Sequence, residues 1–513
     1  MTRAGGARLV AAGILLSRVF GLVRQRVTAH FLGAGPVADA LAAAFRIPNL
    51  LQNLFGEGSL SASFIPVYAK LLAEGRREEA GRVAGTILAL LALLVSVLVL
   101  LGIVFAPQVV WLLAPGLASE TQALTTGLIR IILPGLGLLV LSAWCLGVLN
   151  AHRRFFLSYA SPVLWNAAII AALVWRGGLL GAESAELAVA VAFGSVVGSA
   201  LQLAVQLPSV LRLDRALRVG AGSSAAEVKT VVRNFGPAVA TRGVVQLSAY
   251  ADTLIASLLG AGALATLTYA QAISMLPVSL FGMSIAASEL PAMSGATGSR
   301  EEIADALRAR LTSGRTRIAF FVVPSVIGLI VFGRVMASAL YEGGAFTRAD
   351  AMWVWAALAG SGVGMLAGTM GRLYSSASFA LRDTATPLRF AALRVGLAAI
   401  LGLSLAMTLP ERFGLAPQLG VGLLTAASGL AAWLEYRLLR GHVERQVGTL
   451  PSMGRLSATL WACAALAAAA GYGVAAVIPA WHPIVEAMLI LGAYGAGYLV
   501  LTRVAGVDGA RRA

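Results

Sequence analysis

The chain has 513 residues, of which 58% are hydrophobic and 12% charged, and its mean hydropathy is +0.84. A soluble globular protein carries about twice that charged fraction, so the composition excludes a soluble enzyme and identifies an all-α polytopic membrane protein whose size is set by its helices. The net charge of +16 does not imply nucleic acid, because the basic residues gather at the ends of apolar runs and not on one soluble face.

In chain order the apolar runs predict fourteen spans, at about 8–32, 37–71, 81–106, 121–150, 156–175, 185–209, 228–259, 264–293, 316–341, 349–380, 387–408, 416–440, 455–478 and 483–503. Each is long enough for a hydrocarbon core of about 30 Å. The first is interrupted by arginines and lacks a clear small-residue cleavage site, so it reads as a helix and not as a signal peptide. The second holds the interruptions IPN (47–49) and FGEGS (55–59). Such breaks are tolerated in a membrane where the freed backbone groups find neighbours or line a cavity. The longest soluble pieces, near 210–227 and 295–315, read as amphipathic connectors and leave no room for a catalytic domain.

Loop charge alternates. Loops after even-numbered spans are basic: Lys70, Arg76 and Arg77; Arg153 and Arg154; Arg212, Arg215 and Arg218; Arg308 and Arg310; Arg382 and Arg389; Arg440 and Arg445. Loops after odd-numbered spans hold few cations, with Arg176, Arg348 and Arg412 as exceptions. By the positive-inside rule both termini are cytoplasmic.

A repeat is legible. FLGAG (31–35) is followed by FGEGSLSASFIP (55–66), and LLGAG (258–262) by FGMSIAASELP (281–291). Leu32 to Phe55 is 23 positions and Leu259 to Phe281 is 22; Ser17-Arg18 and Thr241-Arg242 precede the two copies. Both copies begin on an odd-numbered span, which makes the repeat parallel, about an axis along the membrane normal. The predicted organisation is an N-lobe (1–209, helices 1–6), a cytoplasmic connector (210–227), a C-lobe (228–440, helices 7–12), and helices 13–14 with a C-terminal tail (441–513).

The chemistry lies in charges within spans, each costing about 3 kcal/mol at the bilayer centre unless it faces a bundle interior or water. The candidates are Arg18, Arg24, Asp39, Arg46, Glu57, Arg130, Arg242, Asp252, Glu289, Arg334 and Arg372. Arg26, Arg46 and Arg334 also fit snorkelling near helix ends, and Arg130 fits a structural pair with a carboxylate. Arg18 lies about 15 Å along its helix from Arg8, near mid-depth, and Arg24 about 9 Å further on another face. Asp39 and Glu57 on the second span can balance this charge and gate. Gly56 and Gly58 would let that span bend, or else serve close packing. A basic cavity suits an anionic substrate, since guanidinium grips phosphate with two parallel hydrogen bonds and stays charged when desolvated. Cys145 and Cys463 sit far apart in apolar segments, and His30, His152, His442 and His482 are scattered, so no metal site, cofactor or disulfide is expected.

LSRVFGLVRQ (16–25), FLGAGPVADALAAAFRIPNLLQNLFGEGSLSASFIPVY (31–68) and FALRDTATP (379–387) resemble the MurJ (MviN) family of peptidoglycan lipid II flippases. That family lies within the multidrug/oligosaccharidyl-lipid/polysaccharide exporter superfamily. The resemblance runs along nearly the whole chain and is most specific near its start. It implies two pseudo-symmetric six-helix lobes around a cavity, with the last two helices forming a lipid-facing groove. It also implies alternating-access transfer of an undecaprenyl-diphosphate-linked disaccharide-pentapeptide across a bacterial cytoplasmic membrane. Membrane lipids and cell-wall synthesis proteins are the further partners it implies.

Carried over by motif, Ser17, Arg18, Arg24, Asp39 and Glu57 match important family positions. Departures are Gln25 where the family has Asp, Gln52 where it has Arg, and Ala272 and Met275 where Arg and Glu are expected. Arg242 is the candidate replacement cation for the substrate. Asp252 is a weak sodium candidate, for span eleven offers it neither carboxylate nor amide. The alternatives are a flippase for another polyprenyl-diphosphate glycan and a non-transporting paralogue.

Overall fold

Long apolar stretches closed by short glycine- and proline-bearing turns build the molecule. The computed structural model describes residues 3–213, 217, 225–283, 285, 289, 293, 299–478 and 481–507. The described residues form helices and turns, with one isolated bridge between Gly343 and Phe346.

Packing defines an N-terminal unit, Met1–Leu254, and a C-terminal unit, Ile255–Ala513. The first contains α1 (Arg3–Leu32), α2 (Pro36–Phe55), α3 (Glu57–Ala73), α4 (Arg77–Val104), α5 (Ala106–Leu113), α6 (Ser119–Ala151), α7 (Phe155–Ala160), α8 (Pro162–Leu173), α9 (Ser184–Leu213) and most of α10 (Ala225–Ser257). The second contains α11 (Ala263–Pro277), which runs into a π-helical turn at Val278–Met283. There follow α12 (Arg300–Tyr341), α13 (Arg348–Ala380), α14 (Ala385–Arg412), α15 (Gly420–Val447), α16 (Gly454–Val477) and α17 (Pro483–Val504).

Among the described residues, 11 helical segments are long and apolar enough to cross a membrane, and they coincide with predicted spans three to six and eight to fourteen. Predicted spans one, two and seven, occupied by α1, α2–α3 and α10, lie outside that set and carry Arg18, Arg24, Asp39, Arg46, Arg242 and Asp252. The charges of the first unit thus gather on helices that fall short of the apolar length test. The apolar window of α4 has a mean hydropathy of 3.3, yet only 17% of it is buried. A helix apolar all round and mostly uncovered by protein needs hydrocarbon as its solvent.

The two units repeat one packing scheme. In the first, α6 packs on α4 and α9, and α8 packs on α9; in the second, α13 packs on α12 and α15, and α14 packs on α15. The LGAG turns match as well. Gly33 (φ 61°) and Gly260 (φ 95°) take the left-handed conformation, and Gly35 and Gly262 cap the N-termini of α2 and α11. Beyond α6 and α13 the chain turns through Arg153 (φ 60°) and Arg382 (φ 61°). The next N–H groups, of Arg154 and Asp383, each donate to a carbonyl five residues back at 2.9 Å.

The packing boundary falls inside α10, whereas the repeat predicted from sequence starts its second copy there, so most of α10 packs with the first unit. The predicted connector 210–227 lies largely outside the described residues. In the C-terminal unit α13 and α15 touch backbone to backbone at Gly364 and Gly429, where a Cβ on Gly364 would stand 2.2 Å from the Gly429 Cα. Small residues permit this approach between membrane helices. Helices α16 and α17 pack on each other and on α12. Tyr494 and Tyr498 donate to the Pro324 and Phe320 carbonyls, each at 2.7 Å.

Candidate functional site

The N-terminal unit holds most of the predicted site. Arg24 is the best defined of its residues. Its Nε donates to the Asn166 Oδ1 at 2.9 Å, and its guanidinium carbon lies 4.9 Å from the centre of the Trp165 ring. Both partners are on α8, which packs directly against α1. Asn166 is buried, and its Nδ2 donates to the Pro162 carbonyl at 3.1 Å, which fixes the amide orientation. Trp165 is itself met edge-on by Phe45 of α2 at 6.0 Å. A cation over an indole face gains about 0.5–2 kcal/mol, more when water is excluded. Two side chains of α8, one of them backed by α2, therefore seat a half-buried guanidinium of α1.

Arg18 lies near the middle of α1, about 21 Å from its Leu32 end, and is exposed; Ser17 is half-buried beside it. Arg24 lies about 12 Å from that same end. Asp39 occupies the first turn of α2 and is 1% exposed. A carboxylate there is favoured by the unpaired N–H groups of the helix start. The second span breaks at Gly56, whose N–H donates to the Gln52 carbonyl at 2.8 Å. A Cβ on Gly56 would meet that carbonyl oxygen at 2.3 Å, so the break needs glycine. Glu57 and Gly58 open α3, and the Glu57 side chain lies outside the described residues.

Arg46 of α2 and Asp252 of α10 attract one another, with Tyr250 also in range of Arg46. The carboxylate named as a sodium candidate thus has a resident cation as neighbour. The Arg242 side chain falls outside the described residues, although its backbone lies within α10. Other predicted charges have local explanations. Glu289 is buried between Arg310 and Arg317, each at 3.7 Å. Arg130 donates to the Ile103 carbonyl at 3.3 Å, a backbone partner in place of the carboxylate expected. Arg334 is exposed about 10 Å short of the Tyr341 end of α12, within reach of a snorkelling side chain.

Sequence reasoning missed Trp165 and Asn166. The available signal was a lone amide in the otherwise apolar run PVLWNAAIIAAL, since a polar side chain in a span needs a partner.

Outside the spans, Asp383 caps the start of α14. It accepts from the Thr386 N–H at 3.0 Å and pairs with His442 Nε2 at 2.8 Å. The Thr386 backbone and side-chain donors, followed by His442, hold its carboxyl below the usual range.

Residues 28–492 match the family described as lipid II flippase MurJ. A lipid II flippase MurJ from Burkholderia cenocepacia is 32% identical over 461 residues, covering 88% of this chain and 86% of that protein. A probable lipid II flippase MurJ from Rhizobium tropici is 30% identical over 528 residues, covering 97% and 94%. Among solved structures, a lipid II flippase MurJ in an inward closed conformation superposes with a TM-score of 0.76 at 21% identity, covering 97% of this chain and 99% of that one. An inward-facing multidrug resistance MATE transporter of the MOP superfamily gives 0.67 at 17% identity, covering 84% and 96%. At these identities the two structures speak to the fold.

Proposed function

The chain belongs to the lipid II flippase MurJ family, and from that premise we propose that it moves lipid II from the inner to the outer leaflet of the bacterial inner membrane by alternating access. It is a multi-pass transporter of a non-catalytic family. The observation that carries the reading is Arg24, a guanidinium seated on Trp165 and Asn166 within the first span. Arg24 and Arg18 engage the diphosphate, with Ser17 beside them and Arg242 supplying further positive charge. Asp39 and Glu57 balance that charge and gate the cavity. Gly56 and Gly58 form the hinge of the second span, supported by the break at Gly56. Asp252 serves as counter-ion to Arg46, and this reading gives it no sodium.

The basic ends of α13 and α15 face the cytoplasm in this reading, as do both termini. The lobes are those of the repeat, 1–209 and 228–440, joined by 210–227 and followed by 441–513. In the C-terminal unit an apolar cavity of about 450 Å³, lined by Phe281, Phe320, Pro324, Tyr494 and Tyr498 among others, accommodates part of the polyprenyl chain. Cell-wall synthesis proteins are proposed partners by family membership alone. Another polyprenyl-diphosphate glycan as substrate, or a non-transporting paralogue, is not favoured by relatives that share one name over most of the chain.

The test is lipid II translocation in cells depleted of their own flippase, scored as outer-leaflet lipid II. Wild type should restore it, and Arg24→Ala at equal membrane level should not. Failure of a well-inserted wild type in a host making the matching lipid II would overturn the reading.

A further inference from the structure

Arg372 belongs to no interaction described so far. It lies on α13 about 12 Å inside the Ala380 end, and its side chain is exposed. Two other charges act on it: the Arg394 cation of α14 and the Glu435 carboxylate of α15. Glu435 is already committed, because the Arg394 Nε stands 3.1 Å from its Oε2. Among the described residues no ion pair reaches Arg372. Two guanidinium groups therefore share one carboxylate, and the group carries a net charge of +1 within three membrane spans.

The surroundings of Arg372 are polar and open. Ser361, Gly368, Arg372 and Ser375 fall on one face of α13, and all four are at least partly exposed. A Cβ on Gly368 would meet nothing within 4 Å, so the space before this face is unfilled by protein. The outward face of neighbouring α14 is different in kind: Leu393, Ile400, Leu403 and Met407 are exposed there, as a lipid-facing surface requires. A serine-glycine-arginine face is unsuited to hydrocarbon and fits a polar space.

We propose that Arg372, backed by the Arg394–Glu435 pair, is an oxyanion-binding station of the C-terminal unit that engages a phosphate or carboxylate of the transported lipid. The inference rests on the lipid II reading. An unpaired charge at this depth is costly without an anion. Arginine supplies the fork that grips a phosphate or carboxylate at two points, which lysine cannot do. Glu435 fixes Arg394 and keeps the net charge of the group at one, so one anionic group completes it.

The test measures binding of lipid II to the purified full-length protein in phosphatidylcholine nanodiscs, with parallel titrations of phosphatidylglycerol and inorganic phosphate. Arg372→Gln should weaken lipid II binding about tenfold. Arg372→Lys should weaken it less, and Glu435→Gln should bind at least as tightly as wild type. Should Arg372→Gln fail to fold, the Lys and Glu435→Gln variants carry the test, for a merely structural cluster would lose binding in Glu435→Gln too. Lipid II binding unchanged in Arg372→Gln, while Arg24→Ala abolishes it, would overturn the inference and leave the function standing. Loss of phosphatidylglycerol or phosphate binding alone would assign the station to a headgroup or free anion and overturn its link to the substrate. No lipid II binding by wild type would overturn the function itself.

Discussion

The two copies of the repeat share their turns and differ in their chemistry. In the first, LGAG leads into α2, with Asp39 in its first turn and Arg46 further along. In the second, LGAG leads into α11, ALATLTYAQAISMLP, which has no charged residue at all. Yet both pairs of helices are joined by a left-handed glycine and an N-capping glycine, and the fourth span of each copy is followed by a left-handed arginine. Turn geometry constrains the backbone, and it is what the two copies have in common. The charge inside the spans of the second copy sits instead on later helices, as Arg372 of α13, Arg394 of α14 and Glu435 of α15.

The largest effect expected concerns the contact that has no room. Gly364→Val should prevent accumulation of folded protein, because its branched side chain must occupy the space of the Gly429 backbone. Gly368→Ala, one helical turn on, should leave the melting temperature within about 2 °C of wild type, since its Cβ meets nothing. Equal loss in both variants would break the distinction between packed and open faces of α13. Detergent-solubilised thermal melts read both.

Next comes the seat of Arg24. Asn166→Ala removes the 2.9 Å hydrogen bond and should lower lipid II translocation about tenfold at equal membrane level. Asn166→Asp should not restore it, because a carboxylate there would neutralise the cation that the substrate needs. Full activity of Asn166→Ala would show that the N-terminal unit positions Arg24 by other means.

The paired turns give a smaller effect, and one that should be equal in the two halves. Arg153→Gly and Arg382→Gly each relieve a left-handed residue, and each should stabilise its unit by about 1 kcal/mol. A gain at one and a loss at the other would show that only one of these arginines is held by its side chain.

The smallest effect lies at Asp383. Hydrogen bonds from Thr386 and His442 depress its pKa below the value near 3.8 that it has unperturbed, so its contribution to stability is present above that value. The contribution is lost as pH falls through the lowered folded pKa. Asp383→Asn should therefore melt slightly below wild type at pH 7, and the gap should close only in strong acid. The matched turn of the N-terminal unit has Arg154 at this point and should show no such gap.

The helical order, eleven of the spans and the LGAG turns were legible because apolar runs and glycine turns are local properties. Arg18 and Arg24 were legible for the same reason, since charge in an apolar run stands out. What seats Arg24 was not, because Asn166 is 142 positions away and its approach depends on how α1 and α8 are rotated about their axes. Glu435 was hidden for a related reason: in AAWLEYRLLR it reads as the polar end of a span, and only the phase of α14 and α15 turns it toward Arg394. Gly364 and Gly429 look like any other glycines in spans rich in them, and only their opposition shows why neither can carry a side chain.

The interruptions at Phe55-Gly56 and Phe281-Gly282 yield to motion in different ways. The first is a complete break between α2 and α3, and the second is a π-helical turn that continues α11 to Met283. A break yields as a joint: the segments on either side swing without turning about their own axes. A π-helical turn yields as a screw: drawing one residue of it back into α-helical register rotates the chain beyond by about 100°. In the proposed transport cycle the first interruption would act as an elbow and the second as a swivel.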